Sequence, residues 1–191
     1  MTYTRLSASS AKGASDSASR RALLDAFAKL ALSRRYPDFG VGAIVRSARV
    51  ARSTFYYHFS GKDALLLENL QPFVAVLADM PFTAQPSAEL EHWVAHIWQQ
   101  RRVAHRLLAG ATGQKIEAAL VSGLNDALAA GQAPESGRNR LLAHQIAGAC
   151  LALLRAWVGH HVTASPPQIS QALWDNARSS FRSGVAAGRG G

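Results

Sequence analysis

Aromatic, hydroxyl and basic side chains are concentrated in residues 50–62, which read V-A-R-S-T-F-Y-Y-H-F-S-G-K. Phe55 and Phe59 stand four residues apart, so on a helix they share one face and can anchor it to a core. The rest of the helix surface carries hydrogen-bonding groups suited to phosphates and base edges, namely Arg52, Ser53, Thr54, Tyr56, Tyr57 and His58. The segment therefore predicts a helix that enters a groove of a nucleic acid. The alternative is a half-buried amphipathic helix whose tyrosines cap a core.

The neighbouring segments are predicted to position this helix. Residues 38–48 form a short helix, and only Arg49 and Val50 separate it from the next one. Two short helices joined by a tight turn make a helix-turn-helix, whose second helix lies in the major groove of DNA. A longer amphipathic helix comes first, over about residues 16–35, and Pro37 stops it because a residue before proline is pushed out of the helical region.

These residues resemble the N-terminal domain of the tetracycline-repressor (TetR) family of bacterial transcription regulators. The resemblance rests on the apolar first helix, on I-V-R-S-A in the second, on S-T-F-Y-Y-H-F as recognition helix and on Lys62 opening the next helix, and it covers residues 20–67. It implies that backbone phosphates are contacted by Thr54, Tyr56, His58 and Lys62, and base edges by Arg52, Ser53 and Tyr57. Arg46 and Arg49 complete the predicted DNA-binding residues.

Some positions depart from the family pattern. Arg49 stands at a turn position usually held by glycine, which costs up to about 1–2 kcal/mol if the backbone is left-handed there. Ala51 replaces the usual hydroxyl residue, so the recognition helix loses an N-cap that is typically worth about 1 kcal/mol. Val41 stands where a phosphate-binding threonine is common. The departures leave the predicted fold unchanged and alter only the expected docking on DNA.

The distribution of charge agrees with a polyanionic partner. Residues 1–62 carry 11 of the 21 Lys and Arg and 3 of the 12 Asp and Glu, a balance of +8, whereas the remaining residues have a balance of +1. A basic patch is the electrostatic footprint of a nucleic-acid-binding domain. An anionic membrane is the weaker alternative, because no helix combines a lysine-rich face with a long apolar face.

Composition predicts an all-α protein of two domains. Of the 191 residues, 48% are hydrophobic, alanine and leucine recur, and runs of β-branched residues are scarce. We expect a disordered basic arm over residues 1–15, a three-helix helix-turn-helix domain over 16–61, a helical ligand-binding and dimerisation domain over 62–182, and a disordered tail over 183–191. The single cysteine, Cys150, fits a reducing compartment, and the N-terminus does not resemble a signal peptide, so a cytoplasmic location is expected.

Helical periodicity and breaks at Pro and Gly divide the second domain. Helices are predicted over residues 62–80, 87–109, 114–130, 136–162 and 167–182.

A stripe of small residues marks the fourth of these helices. Gly148, Ala152, Ala156 and Gly159 fall on one narrow face, which lets another helix approach closely. In the family that the chain resembles, the last two long helices pair across a two-fold axis, so we predict a homodimer interface that also includes Leu173 and Phe181. The alternative is close packing within one subunit.

The second domain is also expected to hold a signal-binding pocket. Large and polar side chains that could line an apolar pocket are Phe73, Leu77, Trp93, His96, Ile97, Gln100, Leu120 and Trp157, although ordinary core packing is the alternative for each of them. His92 and His96 have a metal-chelating spacing but lack a third ligand, so neither a metal nor another cofactor is predicted.

The sequence therefore indicates a homodimeric transcription regulator and not an enzyme, since phosphate-cradling, dinucleotide-binding and nucleophile-elbow motifs are lacking. The expected partners are a palindromic double-stranded DNA operator and a small-molecule effector that releases a repressor from it. The alternative function is a helical small-molecule sensor or carrier that does not use its DNA-binding domain.

Overall fold

The computed structural model of the protein describes the backbone of residues 4–131 and 136–187 and the side-chain surroundings of residues 15–130 and 137–184. Within these residues the chain forms nine α-helices and two 3₁₀ turns, which confirms the predicted all-α class. The helices are α1 (Thr4–Ser33), α2 (Val41–Ala48), α3 (Arg52–His58), α4 (Lys62–Asp79), α5 (Ala88–Gln99), α6 (Arg101–Leu108), α7 (Gly110–Gly131), α8 (Ser136–Val158) and α9 (Pro166–Ala187). The 3₁₀ turns are Tyr36–Asp38 and Met80–Phe82.

The chain divides into two compact units, Met1–Asn69 and Leu70–Gly191. The division falls inside α4 and not at its first residue, where the sequence placed the domain boundary. Leu65 and Leu66, in the first turns of α4, are fully buried in the first unit. The core of the second unit begins further along the same helix, at Phe73.

Aromatic side chains build the core of the first unit. The Phe27 ring lies 5.8 Å from that of Phe39 and 6.2 Å from that of Tyr36, both in edge-to-face contact. This geometry is favourable because the positive edge of one ring meets the negative face of the next. The cluster joins α1 to the segment that leads into α2.

Helix α1 begins at Thr4, so the structure is helical where the sequence predicted a disordered arm over residues 1–15. Residues 4–15 contain alanine, the strongest helix former, and no proline, so that local backbone hydrogen bonds can extend the helix. At the other end α9 continues to Ala187, beyond the predicted limit at residue 182. Residues 1–3 and 188–191 of the predicted arm and tail lie outside the described residues.

The predicted helix over residues 87–109 is wrong, because it is broken at Gln100. The backbone of Gln100 leaves the helical region (φ −102°, ψ 24°) and forms both the C-cap of α5 and the N-cap of α6. Its carbonyl accepts hydrogen bonds from the N–H groups of Val103 (2.8 Å) and Ala104 (3.0 Å), which start α6. Helix α8 is also shorter than predicted: it ends at Val158, shortly before His160 takes a left-handed backbone with φ 60°.

Helix α8 is the central element of the second unit. Its inner face supplies Ile146, Leu151, Leu154 and Trp157, all with 0% exposure. Within the described part of the chain, Gly137–Val158 is one stretch long and apolar enough to cross a membrane by length and composition, and 50% of its apolar 18-residue window is buried. The core helix of a soluble protein meets the same criterion, so this stretch is weak support for a membrane span.

Candidate nucleic-acid interface and ligand cleft

The turn between α2 and α3 depends on one left-handed residue. Arg49 has φ 55° and ψ 41°, the conformation for which glycine is favoured. The N–H of Val50 then reaches back to the carbonyl of Val45 at 3.1 Å, which closes the end of α2. The backbone cost anticipated for a non-glycine residue at this turn is therefore present in the structure.

Helix α3 is attached through two phenylalanines. Phe55 is 0% and Phe59 is 4% exposed, and their ring centroids lie 5.9 Å apart. The N-cap residue, Ala51, provides no side-chain hydrogen bond to the first turn. The helix is therefore held by packing on one face, as its sequence predicted, and not by a cap.

The opposite face of α3 is open. Tyr57 is 72% and Tyr56 is 51% exposed, and Arg52 and Ser53 are exposed beside them. The Arg52 guanidinium donates to the Tyr56 hydroxyl at 3.3 Å and lies 5.7 Å from the centre of that ring. Thr54 is partly exposed. This face presents guanidinium, hydroxyl and phenol groups together on a single helix.

Arg46 and Arg49 extend the basic character of this surface. Both side chains are exposed, Arg46 in the last turn of α2 and Arg49 in the turn that follows. With Arg52 at the start of α3, three guanidinium groups belong to one short stretch of chain. Guanidinium groups suit planar contacts with phosphates and with guanine.

His58 lies on the inner side of α3. Its side chain is 5% exposed, and Nε2 lies 3.5 Å from Oδ1 of Asp16 on α1. This distance suits an ion pair if the imidazole is protonated, but the atom is buried and makes no hydrogen bond. The structure therefore does not bring His58 to the open face with Thr54 and Tyr56.

Lys62 is enclosed by the backbone that precedes α2. Its ammonium donates to the carbonyls of Tyr36 (2.6 Å) and Phe39 (2.8 Å) and lies 4.0 Å from the centre of the Tyr36 ring. The next residue, Asp63, accepts a hydrogen bond from the Tyr36 hydroxyl at 2.5 Å. Burial, together with the hydrogen bond and charge of Asp63, raises the pKa of Tyr36 above its ordinary value.

Half of the residues predicted to line a ligand pocket are buried in the core. Phe73, Leu77, Leu120 and Trp157 are buried, Trp93, Ile97 and Gln100 are partly buried, and His96 is exposed. The Trp157 ring stacks on Trp98 with centroids 4.7 Å apart, and its indole N–H donates to the carbonyl of Ala164 at 2.9 Å. Trp157 therefore has its partners within the subunit. Burial likewise raises the pKa of the Cys150 thiol to about 12, as expected for an unreactive cysteine.

A cleft of about 640 Å³ lies elsewhere in the second unit. It is lined by Leu108, Ala109, Gly110, Gln114, Glu117, Ala118, Val121, His144 and Arg155, none of which the sequence identified as ligand-binding. A signal was present in the sequence, since a charged residue at 155 ends an apolar run and glycines at 110 and 113 mark a sharp corner.

Arg155 ties α8 to the corner between α6 and α7. Its Nε donates to the carbonyl of Leu108 at 3.0 Å, and Nη2 pairs with Oε2 of Glu117 at 3.0 Å. Gly113 makes the corner possible, because a Cβ at this position would lie 2.1 Å from the Leu108 carbonyl oxygen. The corner between α6 and α7 is thus fixed by the close approach of Gly113 to the Leu108 carbonyl and by the Arg155 guanidinium.

The predicted dimer stripe lies on the outer side of α8, apart from Gly159, which follows the last residue of that helix and has no room for a Cβ beside the Arg155 carbonyl. A Cβ added at Gly148 would meet nothing within 4 Å, Ala152 is exposed, and Ala156 and Gly159 are partly exposed. Leu141, on the same face, is 72% exposed. Two other residues assigned to the interface are placed differently: Leu173 is 0% exposed inside its own unit, and Phe181 is partly buried against Phe82 at 5.1 Å.

Comparison with known proteins gave one family and several similar structures. The model of the family described as bacterial regulatory proteins, tetR family, matches residues 23–68. The dihydroxyacetone kinase operon activator DhaS has a similar fold, with a TM-score of 0.51 and 15% identity over 86% of this chain and 96% of that chain. A transcriptional regulator (TerR/AcrR family) from Aquifex aeolicus VF5 has a TM-score of 0.46 and 20% identity over 86% of this chain and 98% of that chain. Comparison with curated proteins gave no match.

Proposed function

We propose that this chain, which belongs to the tetR family of bacterial regulatory proteins through its N-terminal domain, is a repressor that binds a palindromic operator as a homodimer and is released by a small molecule. Membership of the family makes it a DNA-binding transcription regulator. The observation that carries the proposal is the open face of α3, which presents Arg52, Tyr56 and Tyr57 while two phenylalanines hold the helix from behind.

Base reading is proposed for Arg52, Ser53 and Tyr57. An arginine can donate two parallel hydrogen bonds to O6 and N7 of guanine, the commonest specific contact in the major groove. The contact of Arg52 with Tyr56 restricts the guanidinium before DNA arrives, so less side-chain entropy is lost on binding. Tyr57, the most exposed aromatic of the helix, offers both an apolar ring and a hydroxyl.

Phosphate contact is proposed for Arg46, Arg49, Thr54 and Tyr56, whose side chains are exposed or partly exposed. Such contacts set the register of the helix on the duplex without reading sequence. For His58 and Lys62, which the family resemblance also assigned to phosphates, we propose positioning roles. Both lie against other parts of the first unit, and both help to fix how α3 and α4 attach to it.

Dimerisation is proposed through the outer face of α8. Leu141, Gly148, Ala152 and Ala156 recur at a spacing that returns to the same side of the helix, and they form an apolar line in which only Leu141 is large. Gly159 follows just beyond the end of the helix. A second copy could bring its own α8 close to this line, in a contact that is the same on both subunits. Two-fold symmetry would present two recognition helices to a palindrome, about one DNA turn apart.

Release by an effector requires the ligand to prefer one conformation of the dimer. To move the population from 1:99 to 99:1, the ligand must bind the released state more tightly by about 5.5 kcal/mol. A pocket-sized cleft in the second unit is compatible with a ligand of that kind.

Selection from a random pool of duplexes tests the proposal. The purified full-length protein should enrich a palindromic sequence, protect it in footprinting of DNA flanking its own gene, and sediment as a dimer. A variant in which Arg52 and Tyr57 are both alanine should lose the enrichment but remain folded and dimeric. A wild-type protein that enriches no sequence would overturn the proposal and favour the sensor or carrier alternative, in which the first unit does not bind DNA.

A further inference from the structure

We infer that the cleft at the α6–α7 corner binds a small organic acid, with the carboxylate on Arg155 and the apolar body of the ligand against Leu108, Ala118 and Val121. The inference deepens the proposed function, on which it rests, by giving the effector a place and a chemical class. It also moves the effector site away from the aromatic side chains that the sequence indicated.

The size and lining of the cleft suit such a ligand. Its volume of about 640 Å³ lies within the range of about 300–1,000 Å³ that is usual for small-molecule sites. One part of the wall is aliphatic, whereas the polar groups, from Gln114, Glu117, His144 and Arg155, are few. A ligand with one polar head and one apolar body matches this division.

Arg155 is a suitable receptor for the head group. A guanidinium has five N–H donors, and the bonds to the Leu108 carbonyl and to Glu117 use only two of them. These bonds also fix the guanidinium in place, so a ligand would lose little entropy in ordering it. A carboxylate can accept two parallel hydrogen bonds from such a group.

The formal charges of Arg155 and Glu117 cancel, so the preference for an anion rests on the unused N–H donors of Arg155 and on the start of α7. Glu117 is the single carboxylate among the lining residues, and Oε2 is already paired with Arg155. Helix α7 begins at Gly110, in the wall of the cleft, and has no acidic residue in its first turn. The positive end of its dipole therefore adds to the potential of the guanidinium. An ammonium ligand would be repelled by the guanidinium and by the positive end of the helix dipole.

Two carboxylates and their amine counterparts test the assignment. Benzoate and octanoate would be titrated calorimetrically into the full-length protein, beside benzylamine and octylamine, with each octyl compound below its micelle concentration. We expect at least one carboxylate to bind and neither amine to do so. Binding of the amines as strongly as the acids, or binding of neither acid, overturns the assigned ligand class.

Two variants test the location. Gln114→Glu places a second carboxylate in the cleft at an exposed position and should weaken carboxylate binding about tenfold, because like charges repel at short range. Gln71→Glu makes the same charge change at an exposed position on α4 and should leave binding unchanged. Ala118→Trp should abolish binding by filling the cleft, while the helical circular dichroism signal stays that of the wild type.

Equal carboxylate binding by the wild type, Gln114→Glu and Ala118→Trp would overturn the assigned site. DNA selection by the same preparations separates this outcome from failure of the proposed function. Both variants lie in the second unit and should enrich the same duplex sequence as the wild type. A protein that binds the carboxylate in the cleft but selects no DNA sequence would support the ligand site and contradict the proposed regulatory function.

Discussion

Arg52 is the residue proposed to read one base pair of the operator. It stands at the first position of α3, it is exposed, and its guanidinium touches Tyr56 one turn later. We predict that Arg52→Ala relaxes the preference at one base pair of the selected site, at a cost of about 1–3 kcal/mol for the best sequence. Affinities for the selected duplex and for single-base variants, measured at one salt concentration, check this.

A matched control removes the same charge elsewhere. Arg21→Ala, at an exposed position of α1 in the same unit, should weaken selected and random duplexes by the same small factor, if at all. If Arg52→Ala also weakened all duplexes equally, Arg52 would be a phosphate contact and not a reader of bases.

For Lys62 we predict an effect on stability, because its hydrogen bonds lie within the first unit. Lys62→Met keeps much of the aliphatic stem but leaves the carbonyls of Tyr36 and Phe39 without their ammonium donor. Hydrogen bonds to a charged group contribute about 1.5–3 kcal/mol each, so we expect the free energy of unfolding of the first unit to fall by about 2–4 kcal/mol without DNA.

The two units can be followed separately in the intact chain. The four tryptophans belong to the second unit and the four tyrosines to the first. In Lys62→Met, the tyrosine circular dichroism signal should be lost at a lower urea concentration, while the tryptophan fluorescence transition stays in place. Unchanged stability, together with a salt dependence that loses about 0.9 in log–log slope, would instead identify Lys62 as a phosphate contact.

The turn between α2 and α3 has a strained backbone at Arg49. Arg49 adopts the left-handed conformation with φ 55°, and glycine does so without the steric cost of about 1 kcal/mol or more that a Cβ brings. Arg49→Gly should therefore raise the free energy of unfolding of the first unit by about 1 kcal/mol in urea titrations.

Arg49→Ala is the control, because it removes the same side chain but keeps the Cβ. It should be no more stable than the wild type, and both variants should weaken DNA binding to the same extent if Arg49 contacts a phosphate. Equal stability of the glycine and alanine variants would show that the turn is not strained at Arg49.

The sequence predicts an element well when the residues that determine it are close together in the chain. The helix-turn-helix was predictable, because the spacing of Phe55 and Phe59 and the stop at Pro37 act within a few residues. The break at Gln100 was not, since no proline or glycine interrupts residues 87–109 and the helical period continues through it. The position of Lys62 was hidden for a related reason: its partners, Tyr36 and Phe39, are more than twenty residues away along the chain.

The candidate sites follow the same distinction. The exposed residues of α3 could be identified from one helical face, whereas the cleft combines three helices and a corner. The corner requires Gly113 against the Leu108 carbonyl, a contact that no periodic pattern encodes. Large aromatic residues such as Trp157 were assigned to a pocket from their type alone, and the structure places that ring in the core.

In the whole molecule, positive charge and two-fold symmetry contribute to DNA binding in different ways. The excess of positive charge is carried by residues 1–62, so electrostatic attraction to DNA belongs to the first unit and gives affinity without sequence preference. Selection of a palindrome requires two such units in a fixed relation, which the second unit is proposed to supply through α8. A variant that remains monomeric should therefore keep its affinity for random DNA and lose its affinity for the operator.

Ala152→Arg is the variant that tests this division of tasks. Ala152 is exposed in the middle of the outer face of α8, beside Gly148, where a second copy would leave no room for a guanidinium. Two-fold symmetry places the change twice in one interface, so the dimer dissociation constant should rise by about 10²–10³-fold. Ala129→Arg, at an exposed position of α7, makes the same substitution away from α8 and should remain dimeric.

In Ala152→Arg, the loss of the dimer and the loss of palindrome binding should occur together, and Ala129→Arg should show neither. Ala152→Arg should sediment as a monomer at concentrations where the wild type and Ala129→Arg are dimers, and it should bind the selected palindrome no better than random DNA. Its thermal unfolding should show a folded subunit, because position 152 faces outward. A folded Ala152→Arg protein that still dimerises would exclude this face of α8 as the interface. A monomer that still binds the palindrome tightly would show that recognition does not depend on the pair.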